Sequence, residues 1–288
     1  MKILIAGAGG FVGAGLKKFL LACGDEVCEM SRRREAGKIF WDVENGILDP
    51  REISGFDAII SLAGENIFGF WTREKKRKIL ESRVKSARLI AWAISQTPVR
   101  PRVFLCASAA GYYGAHPNGE VGESEPAGGG FLARVCAEWE AAARIAEKFG
   151  VRVVNMRFGA VLDPSGGMLK IMESAARFKV SAYFGGAGEK ISRISLEDLS
   201  RAARFCIEKP QLFGAVNFTT PEPITKIELA KLVKESASAW MTLGIPPPIV
   251  KLLGGEMAAE LLLSDISAPP KKLLAAGFEF ASYFGRAK

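Results

Sequence analysis

Short apolar runs alternate along the chain with longer segments whose apolar residues recur every three or four positions. Lys2 to Ala6, Glu26 to Met30, Lys38 to Trp41, Ala58 to Leu62, Val103 to Ala107 and Val151 to Met156 predict strands. Between them Phe11 to Leu21, Arg73 to Ser95 and Phe131 to Phe149 predict helices, with Pro98 and Pro101 closing the second and Gly150 the third. Such βα alternation predicts a parallel sheet with helices on both faces and right-handed crossovers.

Beyond Phe158 the texture changes. Residues 159–188 are rich in glycine around one helical stretch, Met168 to Phe178. Glu197 to Glu208 reads as a helix and Val216 to Phe218 as a short strand. Thr225 to Ala239 reads as a helix with Thr225 as N-cap. Pro246-Pro247-Pro248 then introduces a last apolar helix, Ile249 to Leu263.

The first strand runs into Gly7-Ala-Gly-Gly10-Phe11-Val12-Gly13, three glycines at three-residue spacing that open a helix. A dinucleotide pyrophosphate needs this order of parts: a tight turn of bare backbone, then a helix N-terminus with unpaired N–H groups and a positive dipole end. Gly7, Gly10, Phe11, Val12 and Gly13 are therefore candidate cofactor contacts; the alternative is a purely structural glycine turn. The second strand ends in Ser31-Arg32-Arg33-Arg34, where an acidic residue would hold the ribose 2′-hydroxyl of NAD. Ser31, Arg32 and Arg33 suit the 2′-phosphate of NADP(H), which guanidinium groups grip and a carboxylate repels. The alternatives are a solvated basic turn, or a register shifted by two residues that makes Glu29 the acidic candidate. The expected fold is α/β: a Rossmann-type doubly wound parallel sheet over residues 1–158, with 189–218 partly returning to it. A smaller C-terminal substrate lobe, 159–288, is expected to close over the nicotinamide end.

Composition narrows this little. The 288 residues are 49% hydrophobic and 24% charged, as in ordinary globular proteins, and the net charge of +8 fits an anionic cofactor. No nucleic-acid recognition motif accompanies it. Five cysteines without a CxxC pair predict reduced thiols, and one histidine, His116 in a loop, excludes a His-rich metal site. The first strand begins after one lysine and no apolar run approaches 18 residues, so neither a signal peptide nor a membrane span is expected. The expected location is the cytoplasm, and a homodimer is left open.

Several strings carry a resemblance: Ser61-Leu62-Ala63-Gly64-Glu65-Asn66-Ile67, Phe70-Trp71-Thr72, Glu81-Ser82-Arg83-Val84, Gly111-Tyr112-Tyr113-Gly114 and Trp139-Glu140-Ala141-Ala142-Ala143. With Leu252-Leu253-Gly254-Gly255-Glu256-Met257 and the run from Pro270 to Phe278, the chain resembles extended short-chain dehydrogenase/reductases. Within them it is similar to an atypical NAD(P)-dependent epimerase/dehydratase-like subfamily with its own C-terminal tail. The resemblance implies that Leu62, Ala63 and Gly64 line the adenosine side. It also implies that Asp42 accepts from the adenine amino group, that Arg83 contacts the cofactor and that Val161 meets the nicotinamide. Read without it, Asp42 and Arg83 are a surface carboxylate and a surface cation.

The catalytic pattern departs from that superfamily. Its members use a Tyr-x-x-x-Lys pair, in which the lysine depresses the tyrosine pKa. Here Leu132 and Cys136 stand at those positions, Ala109 stands at the usual serine with Ser108 beside it, and Ser195 replaces a frequent histidine. The replacement candidates are Tyr113 and Tyr112 with Ser108 as hydrogen-bond partner; the alternative is packing tyrosines. Cys136 reads as a buried, inert thiol or a redox group. Glu123 and Glu125 are either carboxylates supplied to the site or solvated loop carboxylates, and Arg157, Lys190 and Arg193 are cations in or near the substrate lobe, of a kind more often simply solvated. Three functions compete: an NADP(H)-dependent oxidoreductase or epimerase with a non-standard acid/base, acting on a small polar, sugar-like or carbonyl substrate; a catalytically silent NADP(H) sensor; and an interaction protein that docks a partner through its apolar last helix.

Overall fold

A computed structural model describes residues 1–114 and 119–281, so His116 lies outside the described residues. In the first half strands and helices alternate except for four successive strands from β2 to β5: β1 (Lys2–Ala6), α1 (Phe11–Ala22), β2 (Glu26–Ser31), β3 (Lys38–Asp42), β4 (Ile47–Leu48), β5 (Ala58–Ser61), α2 (Arg73–Gln96), β6 (Val103–Ala109), α3 (Phe131–Ala143) and β7 (Arg152–Phe158). The second half comprises β8 (Ala160–Asp163), α4 (Gly167–Ala176), β9 (Val180–Phe184), β10 (Lys190–Ile191), β11 (Arg193–Ser195), α5 (Leu196–Glu208), β12 (Gly214–Phe218), β13 (Ile224–Thr225), α6 (Lys226–Ser236), β14 (Met241–Ile245), α7 (Pro247–Leu261) and α8 (Lys271–Ala275).

Among the described residues, eight strands form one sheet in the order β12-β7-β6-β5-β1-β2-β3-β4, parallel except for the β3–β4 edge. The order reverses between β1 and β5, and in a doubly wound sheet a ligand crosses the carboxyl edge at such a point. Both faces are covered, as all-parallel strands require. Ile59, Phe104 and Val153 pack under α2 and α3, while Ile3, Ile5, Ile60 and Leu105 pack under α1 and α5. The α/β Rossmann-type expectation holds.

The second half builds its own small core from Leu162, Leu169, Ile224, Leu229 and Val233, around the two-stranded pairs β8–β11, β9–β14 and β10–β13. These pairs were not anticipated. The helix expected over Phe131 to Phe149 tightens after Ala143 into a 3-10 turn that ends at Gly150, in left-handed conformation at φ 78°. The apolar helix expected over Ile249 to Leu263 is α7, which begins at Pro247 and is broken at Gly255, whose φ of 57° a residue with a Cβ adopts poorly; the short α8 after it was not anticipated. No helix of the described residues is long and apolar enough to cross a membrane.

Candidate functional site

The glycine turn leaving β1 is set by contacts that leave no room for a side chain. A Cβ on Gly13 would lie 2.2 Å from the Gly7 carbonyl oxygen, and one on Gly7 would lie 2.9 Å from the Ala63 nitrogen. Gly7 also has a φ of 87°. At Gly9, by contrast, a Cβ would meet nothing within 4 Å, and at Gly10 only the Gly7 oxygen at 3.5 Å. The fold itself needs Gly7 and Gly13, while Gly9 and Gly10 keep a bare surface. The α1 N-terminus has no capping side chain and no acid in its first turn, whereas Thr72, Ser195 and Thr225 cap α2, α5 and α6. A dinucleotide fits here: backbone N–H groups of the first turn remain for the pyrophosphate. Phe11 turns its ring across to Gly166 and Gly167, so the loop before α4 rests on this helix start.

At the end of β2, Ser31 Oγ donates to Glu35 Oε1 (3.0 Å) and accepts from the Arg33 backbone N–H (3.1 Å), which fixes the following turn. Arg32 and Arg33 are exposed, and among the described residues neither makes an ion pair with a carboxylate. Glu29, the acidic alternative, is held by Lys17 and by Lys38 at 3.6 Å. The Lys17 hydrogen bond is the main cause that keeps its carboxyl below the ordinary range. Arg34 instead covers the Phe40 ring at 4.3 Å.

Asp42 is accessible to solvent but not idle. Its carboxylate accepts from the backbone N–H groups of Glu44 and Asn45 (3.0 and 3.1 Å) and from Asn45 Nδ2 (2.7 Å). These bonds cap the turn into β4 and lower its pKa. Leu62 and Ala63 leave β5 against Gly7, and the Ser61 hydroxyl below them is buried without a hydrogen-bond partner among the described residues. Arg83 is no surface cation: its Nη1 donates to the carbonyls of Glu65 and Ile79, both at 3.0 Å, and its guanidinium lies over Trp139. Burial pulls its pKa down. A Cβ on Gly64 would meet Arg83 Cζ at 2.9 Å, so Arg83 anchors the segment that leaves β5. Val161 lies in β8, paired with Ile194 of β11.

The carboxyl ends of β6, β7 and β12 carry a buried polar network where the Tyr-Lys pair was sought. Arg157, at 3% exposure, grips Glu140 with two parallel bonds, Nε to Oε1 at 2.8 Å and Nη2 to Oε2 at 2.9 Å. Its Nη1 donates to the Tyr113 phenol oxygen (2.9 Å) and the Glu123 carbonyl (3.3 Å), and the guanidinium stacks 3.4 Å from the Tyr112 ring centroid. Burial works against the Arg157 charge, but the Glu140 carboxylate outweighs it and holds the pKa above its ordinary value. Ser108 Oγ donates to Glu140 Oε1 (2.7 Å) and Tyr113 Oη to Asn217 Oδ1 (2.7 Å).

Of the catalytic candidates, Tyr113 is fully buried, and burial pushes its phenol up to about 12. Ser108 is buried against Glu140, and only Tyr112 is partly exposed. Arg157 and Arg193 are buried rather than solvated, as is Glu123, whose carboxylate accepts from the Lys272 backbone N–H at 3.1 Å. Leu132 and Cys136 do occupy α3, and burial pushes the Cys136 thiol up to about 11. Glu140, Asn217 and Glu260 escaped the sequence reading as functional groups. Glu260 of α7 accepts from the Phe131 and Leu132 N–H groups through its two oxygens, both at 2.7 Å, and so caps α3. A charge inside an apolar stretch, Glu140 in Trp-Glu-Ala-Ala-Ala and Arg157 in Val-Asn-Met-Arg-Phe, is the signal that marks a buried pair.

The reversed sheet order, bare glycine turn and uncapped α1 together define a dinucleotide-binding protein of the Rossmann class. Residues 3–215 match the NAD dependent epimerase/dehydratase family, and the chain belongs to that family. Residues 245–282 match a domain of unknown function, DUF1731, in line with the tail that the sequence resemblance singled out. The chain is 36% identical over 281 residues to epimerase family protein Mb2239 of Mycobacterium bovis, covering 96% of this chain and 93% of that one. It is 28% identical to human epimerase family protein SDR39U1, covering 98% and 96%. A crystal structure of the human protein with NADPH superposes with a TM-score of 0.89 at 28% identity, covering 98% of this chain and 95% of that one. A Thermus thermophilus UDP-glucose 4-epimerase with NAD, at 21% identity and a TM-score of 0.75, shares the fold.

Proposed function

We propose that the chain is an NADP(H)-dependent oxidoreductase or epimerase whose acid/base is not a Tyr-x-x-x-Lys pair. Its substrate is small and carries a carbonyl or a sugar-like hydroxyl. The single observation that carries the cofactor reading is the pair Arg32 and Arg33, exposed immediately beyond β2 and in no ion pair among the described residues. The human relative crystallised with NADPH supports it. Gly7, Gly10, Gly13 and the first turn of α1 would hold the pyrophosphate, Ser31, Arg32 and Arg33 the 2′-phosphate, and Leu62 to Gly64 the adenosine side. When bound, the nicotinamide supplies or accepts a hydride. Tyr112 is the group we assign to proton exchange, because its ring is partly exposed and lies against a guanidinium, whereas Ser108 and Tyr113 are already engaged inside.

The adenosine end can be tested without the nicotinamide. Binding of 2′,5′-ADP should exceed that of 5′-AMP by about tenfold or more, about 1.4 kcal/mol; equal binding would remove the role given to Arg32 and Arg33. Turnover of NADPH with a carbonyl panel should then fall at least 100-fold in Tyr112→Phe, the lower end of what one general acid contributes. Tight NADPH binding with no turnover across the panel would favour a sensor that has lost chemistry.

A further inference from the structure

The helix α7 is held to the body by charge rather than by packing. Of its residues only Val250 and Ala258 are buried, while Leu252 and Leu253 stand 83% and 68% exposed. No helix or strand of the described residues packs closely along it, in contrast to α2 and α3, which pack along each other. Its attachments are two carboxylates four residues apart, a spacing that puts both on one helical face. Glu260 accepts from the Phe131 and Leu132 N–H groups at the start of α3, both at 2.7 Å, and Glu256 pairs with Lys76 near the start of α2 at 2.7 Å. Lys76 Nζ also lies over the Phe131 ring at 4.8 Å, so the two attachments share an anchor. Because α2 and α3 follow the parallel strands β5 and β6, their N-termini stand at the carboxyl edge, beside the point where the sheet order reverses. Thus α7 reaches from the second half of the chain onto the ligand edge of the first.

Its ends are fixed and its middle is broken. Upstream it leaves β14 through Pro246; downstream the Lys190 N–H donates to Asp265 at 2.7 Å and Ile266 bridges to Ile191. Between these points Gly255, at φ 57°, interrupts the helix immediately before Glu256, so both carboxylates lie on the short segment beyond the break. A segment with few buried apolar contacts belongs to the low end of local stability, and lids swing on a few residues that absorb the backbone change. We propose that residues 247–264 form a lid beside the carboxyl ends of β5 and β6, latched by Glu256 and Glu260 and hinged at Gly255. The lid opens as one unit without unfolding the sheet, and its release frees the crevice mouth and the first turn of α3 together. The latch itself does not depend on which cofactor the crevice holds.

The test is amide hydrogen exchange of the full chain, read by mass spectrometry on peptides covering α7, the first turn of α3 and β1. In the nucleotide-free chain α7 and the α3 first turn should exchange at least about 100-fold sooner than β1, through an opening well short of global unfolding. Glu260→Gln should quicken both about fivefold. Glu256→Gln, at a half-exposed position that touches neither N–H group, should quicken the same two peptides about two- to fivefold. A salt bridge that merely decorated the surface would leave the Phe131 and Leu132 amides where they were. Exchange of α7 as slow as that of β1, or an α3 first turn that Glu256→Gln does not move, overturns the lid. Saturating NADPH should slow α7 exchange by about tenfold or more, as a ligand that favours the closed form requires. NADPH that binds, by its fluorescence, and leaves α7 exchange unchanged overturns the placement over the crevice. If NADPH fails to bind, the cofactor reading falls instead, and the nucleotide-free comparison of the two variants still decides the lid.

Discussion

The two ends of the carboxyl-edge crevice treat charge in opposite ways. At the adenosine end, Arg32 and Arg33 are exposed and make no ion pair among the described residues, with Glu35 near enough to feel the Arg33 charge, and the α1 N-terminus has no side-chain cap. At the other end, Arg157 and the α3 N-terminus carry internal carboxylates, one of them on a helix more than 100 residues away in the chain. An exposed cation with no partner is available to an incoming phosphate at little desolvation cost. A buried guanidinium already bonded to a carboxylate is part of the framework and offers a ligand nothing. A cation in a sequence therefore says little about ligands until its partner is known.

The comparison breaks most sharply at Glu140. Glu140→Gln keeps the shape and leaves Arg157 buried without its counter-charge, so a loss of about 3–5 kcal/mol is expected in urea unfolding. A loss below about 1 kcal/mol would show that Arg157 is more solvated than its 3% exposure indicates. At the other end, Gly13→Ala forces the Gly7 carbonyl to move. A cost of about 1–3 kcal/mol is expected together with loss of nucleotide binding, measured by unfolding and by titration. The double variant Arg32→Ala/Arg33→Ala should leave stability within about 0.5 kcal/mol, in contrast to Glu140→Gln. Glu260→Gln removes the charge at the α3 N-terminus but keeps one acceptor, and a loss of about 1 kcal/mol is expected. An unchanged urea midpoint would mean that α7 does not hold α3.

The alkaline limb gives the gentlest effect. Burial raises the Cys136 thiol to about 11 and the Cys206 thiol and Tyr113 phenol to about 12, whereas the unfolded chain ionises them near about 8.5 and 10. Between those values the folded state holds more protons than the unfolded one. Stability contributed by these groups is full below about pH 8.5 and is lost as pH rises through about 12. Urea midpoints taken at pH 8, 10 and 11 should fall steadily; a flat series would contradict the burial of these groups.

Much of the first half was legible because β1, β5, β6 and β7 are buried nearly throughout and read as plain apolar runs, punctuated by glycines that the fold cannot replace. Gly7 and Gly13 were readable as a pair since the motif and the steric need coincide. The second half hid its β8–β11, β9–β14 and β10–β13 pairs, whose strands run two to five residues and lack a long apolar run. The break at Gly255 was hidden too, because glycine inside an apolar helix pattern does not announce a positive φ. The candidate site divides along the same line as the electrostatics. Arg32 and Arg33 stand exposed just beyond β2, as the sequence places them. Arg157 reads as a solvated cation until β7 is set beside α3 and Glu140 meets it from 17 residues away. Glu260 had no local signal, since its partners are backbone N–H groups more than 120 residues earlier.

The most direct test of this division is a paired titration of the chain with NADPH and NADH, repeated on Arg32→Ala/Arg33→Ala. NADPH should bind at least about tenfold more tightly, about 1.4 kcal/mol, and the double variant should erase that preference by weakening NADPH alone. Equal affinities for the two cofactors in the unsubstituted chain, or a preference that survives the double variant, would contradict it.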